Sequence, residues 1–156
     1  MGNINSVLFV CTGNSCRSVM AEGLLKKRLK ELGKTNITVR SAGIRAISGF
    51  GPTNETAEVM REEGAALDDF KSAYLTDDMI KQSDIILVME EMHKAEILLR
   101  VPQAASKTFL LREYGRAGDK SIEDKEIPDP IGAPVSEYRI CLNLIKEDIE
   151  RIAKIL

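Results

Sequence analysis

Two short apolar runs, Val7–Val10 and Ile85–Met89, restrict what this chain can fold into more than any other feature. Neither alternates with polar residues. Each is too short for a buried helix and is bounded by polar residues, so each reads as a strand covered on both faces, as in a parallel sheet. Two weaker strand signals join them, Ile37–Ser41 and Lys107–Leu111. Helical spacing fills the intervals. It runs from about Ser18 to Leu32, stopped by Gly33, and from Asn54 to Glu63, capped by Asn54 and stopped by Gly64. It resumes at about Thr76, a good N-cap, and again over Glu91 to Leu99. In the last helix Tyr138, Cys141, Leu142, Ile145, Ile149, Ile152 and Leu156 recur at steps of three and four and form one apolar stripe, with Pro134 suited to the first turn. Gly43–Pro52 and the charged stretch Arg112–Asp129 read as loops. Strands and helices thus alternate from end to end. That predicts a single α/β domain over residues 1–156, a four-stranded parallel sheet with helices on both faces and right-handed crossovers. Ligands of such folds bind beyond the carboxyl ends of the strands, near a switch in strand order.

Composition removes several classes of function. A net charge of −2 supplies no general attraction to nucleic acid or to an anionic membrane. No apolar run approaches the ~18 residues of a membrane span, and Met1–Asn5 lacks the basic-then-apolar pattern of a secretory signal. Three cysteines without regular spacing suit a reducing compartment better than a disulfide framework. The expectation is a cytoplasmic monomer with neither nucleic acid nor membrane as partner.

The chemistry concentrates in the loop after the first strand, Cys11-Thr12-Gly13-Asn14-Ser15-Cys16-Arg17-Ser18. It lies between a strand end and a helix start, where unpaired N–H groups and the helix dipole attract anions. Gly13 and Asn14 tolerate the turn in which consecutive N–H groups point inward as an anion nest. Cys11 is the candidate nucleophile, since a helix N-terminus and a nearby cation favour the thiolate. Arg17 is the candidate clamp on two oxygens of a tetrahedral oxyanion. A cation in a first helical turn is awkward unless an anion accompanies it. Ser18 is either a donor to the Cys11 thiolate, an N-cap, or both. Cys16 is either a reversible disulfide partner of Cys11 under oxidation or a small buried filler. No His or Cys cluster lies beside these thiols, so no metal is expected. Phosphoryl transfer also needs a proton donor, and Asp129, held between Pro128 and Pro130 ahead of the last helix, is the candidate. The lone His93 is expected far from this loop and is given no chemistry. The run Lys26, Lys27, Arg28, Lys30 reads as a solvated helix face.

The loop together with Asp129-Pro130 resembles the low-molecular-weight protein-tyrosine phosphatases, and the likeness extends to Arg40-Ser41-Ala42-Gly43, Leu87-Val88-Met89 and Asp129-Pro130-Ile131-Gly132. The resemblance implies hydrolysis of a phosphorylated protein through a phosphocysteine, without cofactor or metal. It makes Cys11 the nucleophile, Arg17 the clamp, Asp129 the acid and then the base, and Thr12, Gly13, Asn14, Ser15, Cys16 and Ser18 the phosphate-binding loop. Three positions depart from the family pattern. Val19 replaces a Pro, Phe70 stands where many members carry a His in a polar network under the loop, and Ile131 replaces the aromatic wall of the substrate slot. Phosphotyrosine is the expected substrate. Ser15, where tyrosine-directed relatives carry Ile and arginine-directed ones Thr, points also to phosphoarginine. The same loop resembles thioredoxin-coupled arsenate reductases, but Glu90–Leu99 has no cysteine to relay oxidation. A phosphate-binding module without catalysis is the third reading, and it predicts loss of Cys11 or Asp129.

Overall fold

The computed structural model describes residues 3–65, 67, 69–116 and 124–156. The opening apolar run becomes β1 (Ser6–Cys11), and its continuation through the loop becomes α1 (Arg17–Glu31). Then follow β2 (Thr38–Gly43), α2 (Asn54–Glu62), α3 (Asp77–Gln82), β3 (Ile85–Val88), α4 (Glu91–Arg100), a 3₁₀ turn at Pro102–Lys107, β4 (Thr108–Leu110) and α5 (Val135–Ile155). The four strands form one parallel sheet in the order β2-β1-β3-β4. This is the α/β class that the alternation predicts.

Alternate residues of β1 face opposite layers. Val7, Phe9 and Cys11 enter one core with Met20, Leu24 and Leu25 of α1 and the α5 stripe. Leu8 and Val10 enter the other, with Met79 and Ile80 of α3 and Ile97 of α4. Both faces of the strand are therefore dry, which is why its sequence shows no alternation. The stripe on α5 is buried from Tyr138 to Ile152, as its spacing requires.

The ends of elements differ from expectation by small, local margins. Thr53, not Asn54, caps α2, its Oγ1 accepting the Thr56 N–H at 3.2 Å. Thr76 caps α3 as read, accepting from Met79 N–H at 3.2 Å. Pro134 is the N-cap of α5, one residue outside the first turn. The second strand starts at Thr38 and runs on to Gly43. Gly33 and Gly64 stop their helices with φ of 73° and 76°, the left-handed region that glycine enters at no steric cost. Of the expected surface stretch Arg112–Asp129, residues 117–123 lie outside the described residues, as do Met1 and Gly2. The described part is less exposed than a loop reading implies, because Ile127 is fully buried.

Strand order places the site. The first crossover moves from β1 to β2 on one side, and the later strands β3 and β4 lie on the other. The switch point is therefore between β1 and β3, and the two segments that leave the carboxyl ends there are Cys11–Arg17 and Met89–His93.

Candidate active site

The loop after β1 is packed from below by polar side chains. Asn14 is its keystone: fully buried, with φ of 52°, a conformation that Asn adopts more readily than most residues. Its Oδ1 accepts the Ala73 N–H at 2.8 Å, and its Nδ2 donates to Ser18 Oγ at 2.8 Å and Ser41 Oγ at 3.0 Å. Ser41 in turn donates to Glu22 Oε1 at 2.6 Å. The amide of Asn14 is thus fully supported without a His at position 70. Gly13 has no positive φ, and a Cβ there would meet only Ser15 Oγ at 3.5 Å, so the turn does not require it to be glycine. The glycine that the loop does require is Gly43. It pairs with Cys11, and a Cβ on it would lie 2.5 Å from Thr12 O and 2.9 Å from Asn14 N.

Cys11 Sγ ends the buried strand facing two donors. The Asn14 N–H donates to it at 3.3 Å, and Ser18 Oγ lies 2.9 Å away. Ser18 Oγ already accepts from Asn14, so its own hydrogen is free for the sulfur. In the same loop, the N–H groups of Gly13, Ser15, Cys16 and Arg17 meet no acceptor among the described residues. The first turn of α1 holds no acidic side chain, and its N-cap, Cys16, makes no side-chain cap bond. These are the unmet donors of a helix start, and they suit an anion.

Arg17 is almost fully buried. Its Nη1 donates to Glu90 Oε2 at 2.6 Å and to the Ile127 carbonyl at 2.7 Å, while its Nη2 lies 3.5 Å from Asp129 Oδ2. Glu90, which sequence reasoning passed over, is the anion that makes a cation tolerable in a first helical turn. With Nη1 committed, the Nε–Nη2 edge remains as the two-pronged donor. Asp129 also accepts the Ile131 N–H at 3.1 Å, an Asx turn that fixes the carboxylate against Pro130. Ile131 itself is exposed.

His93 corrects the sequence reading. It is completely buried beside the loop: Nε2 is 2.9 Å from Thr12 Oγ1, and Nδ1 accepts the Glu90 N–H at 3.1 Å. Burial first, then the Arg17 charge, pushes its pKa down to about 4. The signal that finds it is strand order, because the turn after β3 can reach the loop after β1 only if those strands are neighbours. The remaining thiols lie behind the loop. Cys16 Sγ is 3.7 Å from Thr53 Oγ1 and 3.8 Å from Tyr138 OH, and burial and that contact push the phenol up to about 12. Cys141 is buried against the Pro128 carbonyl, and burial pushes its thiol up to about 12. Such a group is ill suited to the fast thiol exchange that an arsenate reductase relay needs.

A cysteine that heads a loop of unmet N–H groups at a parallel-sheet switch point is the arrangement of a cysteine-based phosphatase. The chain belongs to the low molecular weight phosphotyrosine protein phosphatases, whose family model matches residues 6–156. It is 34% identical over 150 residues, 95% of this chain and 94% of the other, to the protein-arginine-phosphatase of Bacillus subtilis. It is 40% identical over 129 residues, 81% of this chain and 80% of the other, to the probable low molecular weight protein-tyrosine-phosphatase AmsI of Erwinia amylovora. Among solved structures it superposes on a cysteine-to-serine mutant of the YwlE arginine phosphatase with a phosphorylated active-site serine. The TM-score is 0.87 at 32% identity, covering 97% of this chain and 95% of that one. No helix among the described residues is long and apolar enough to cross a membrane.

Proposed function

We propose that this protein is a cytoplasmic, monomeric protein phosphatase that hydrolyses phosphotyrosine through a phosphocysteine on Cys11. One observation carries the reading: the Cys11 sulfur faces two hydrogen-bond donors at the head of a loop with unmet N–H groups, while the buried Arg17 has no acceptor for its Nε among the described residues and only an ion-pair contact of its Nη2 with Asp129 at 3.5 Å. The dianion of a phosphomonoester is seated on those N–H groups and clamped by Arg17. Cys11 attacks phosphorus, the P–O bond to the substrate breaks, and Asp129 gives its proton to the departing oxygen. Asp129 then takes a proton from water, whose oxygen attacks the phosphocysteine and releases inorganic phosphate, restoring the thiolate. Asn14, Ser18 and the loop backbone hold this cup in shape, and Cys16 fills the space behind it.

Phosphoarginine is the second reading, favoured by Ser15. A hydroxyl at that place is small and can hold a water or a guanidinium nitrogen, where an Ile would fill the space. The relative named as a protein-arginine-phosphatase aligns over nearly the full chain. An exposed Ile131 in place of an aromatic wall also removes a surface on which a tyrosyl ring would stack.

The deciding experiment compares kcat/KM on a phosphotyrosine peptide and on a phosphoarginine protein, for the wild type and for Ser15→Ile. The phosphotyrosine reading expects the peptide to be preferred and Ser15→Ile to leave it so. Loss of phosphoarginine turnover by Ser15→Ile, with tyrosine turnover kept, establishes the second reading. Cys11→Ser is the control for both and is expected to abolish turnover.

A further inference from the structure

We propose that His93 is a positioning residue for the phosphate loop, a single imidazole that ties Thr12 to the turn carrying Glu90 and so to the Arg17 clamp. The inference deepens the phosphatase reading and rests on it.

The hydrogen bonds assign the ring's proton. Nδ1 accepts the Glu90 N–H at 3.1 Å, and a ring nitrogen that accepts carries no hydrogen. The one proton of the neutral ring therefore sits on Nε2, which donates to Thr12 Oγ1 at 2.9 Å. Thr12 is the residue that follows the nucleophile, and its carbonyl is the one nearest Gly43 and bonded by Arg45 N–H at 2.9 Å. Glu90 Oε2 lies 3.9 Å from Nε2 and holds Arg17 Nη1 at 2.6 Å. One ring thus bridges the two segments that flank the switch point, the loop that carries the nucleophile and the turn that carries the partner of the clamp.

The ring is not built for proton transfer at neutral pH. Four charged groups face it: Arg17 from α1, Glu90 at the head of α4, and Glu126 and Asp129 from the segment before α5. Burial and Arg17 oppose a second ring proton, while Glu126 and Asp129 favour it more weakly, and the ring stays neutral to about pH 4. A second proton would also point Nδ1–H at the Glu90 N–H, two donors face to face. What remains is geometry. A buried bridge that is neutral at physiological pH restricts where Thr12 and Glu90 sit, and rigid outer partners of this kind sharpen an active site without touching substrate.

The test uses inorganic phosphate as the probe, through its inhibition constant and the rise in melting temperature that it produces. His93→Ala is expected to weaken phosphate binding about tenfold and to lower kcat, the scale on which loss of an outer partner is felt. His93→Gln offers an amide oxygen for the Glu90 N–H and an amide N–H for Thr12, and it is expected to recover most of both. Thr12→Val is expected to reproduce the loss, and the double variant to be no worse than either single one. Three results overturn the proposal. His93→Ala lowers the melting temperature but leaves the phosphate constant alone. Gln restores stability without restoring binding. The two losses simply add. Should His93→Ala not fold, Thr12→Val carries the test, since it keeps the imidazole, and unchanged phosphate binding by it sinks the bridge. A wild-type protein that neither binds phosphate nor hydrolyses any phosphomonoester removes the phosphatase reading and this one with it. Wild-type binding matched by His93→Ala removes this one alone.

Discussion

Among the described residues, Arg17 and Asp148 are the two most deeply buried charges to meet opposite charges, and they are settled in opposite ways. Among the described residues, three arginines converge on Asp148. Arg151 Nη1 approaches Oδ1 at 2.8 Å, Arg116 Nη2 at 3.1 Å, and Arg112 Nε lies 3.4 Å from Oδ2 without a hydrogen bond. Arg151 spends its other nitrogens on the Tyr114 and Leu111 carbonyls. The cluster sews the turn after β4 to α5. Arg17 reverses the signs, one cation among carboxylates, and its partners differ in kind. Glu90 and Asp129 keep 26% and 39% of their side chains exposed, and the Nε of Arg17 has no acceptor among the described residues. A fully buried carboxylate ringed by arginines, one of them tied on to two backbone carbonyls, holds the fold together. A cluster with a donor left over and partners at the surface has something still to bind.

Removing the carboxylate that faces Arg17 from the open side gives the largest expected effect. Asp129→Ala should lower kcat/KM on aryl phosphates by ~10²–10⁴, the usual cost of losing a proton donor. The loss should shrink as the leaving group becomes more acidic. An exposed carboxylate contributes little to stability, so the melting temperature should barely move. Near-normal turnover on a poor leaving group would take Asp129 out of the reaction.

Asp148→Ala probes the other cluster. Breaking a buried ion network by deleting one sign leaves the arginines uncompensated and should cost about 3–5 kcal/mol in denaturant unfolding. The kcat/KM of the folded fraction should stay at the wild-type value. A comparable loss of catalysis would mean that the two clusters are coupled and the contrast is false.

Arg17→Lys sharpens the comparison from the opposite side. A lysine keeps a cation for Glu90 but has no fork to close on two oxygens, so kcat/KM should fall by about 10²–10³ with a far smaller change in stability than Asp148→Ala. A variant that unfolds readily yet turns over normally would make Arg17 a structural staple like its counterpart.

Each cluster was legible in the sequence to the extent that it is local. Cys11 and Arg17 share one loop, and the strand and helix on either side of it announce themselves by period alone. The same holds for β3 and α5, whose patterns depend only on residues nearby. Thr53 and Asn54 are both good caps in adjacent positions, and nothing local separates them. Glu90, His93 and Ser41 join the site only because β1 lies between β2 and β3, and pairing order is not written in any local pattern. Gly43 is in the same class, since its need for glycine comes from the loop that crosses it. Asp148 sits beside the apolar stripe of α5, where an acid is legible as polar but not as buried.

The smallest predicted effect tests whether the neutral imidazole beside Arg17 belongs to the folded state. Free histidine titrates near 6.5, and His93 in the fold near 4. Between those values the unfolded chain binds a proton that the folded chain refuses, so stability rises with pH across this window. The contribution is complete above about pH 6.5 and is lost as pH falls toward 4, at a slope of up to about 1.4 kcal/mol per pH unit. Glu90, Glu126 and Asp129 are the carboxylates that face the same ring. The quantity to measure is therefore the difference between wild type and His93→Gln, in which those carboxylates cancel to first order. That difference should be flat from pH 7 to 8 and should turn against the wild type below 6.5. A difference that stays level down to pH 4.5 would mean that the ring takes its proton as freely inside the protein as outside. The Glu90 N–H would then have no lone pair to meet, and the bridge between the loop and the clamp would be lost.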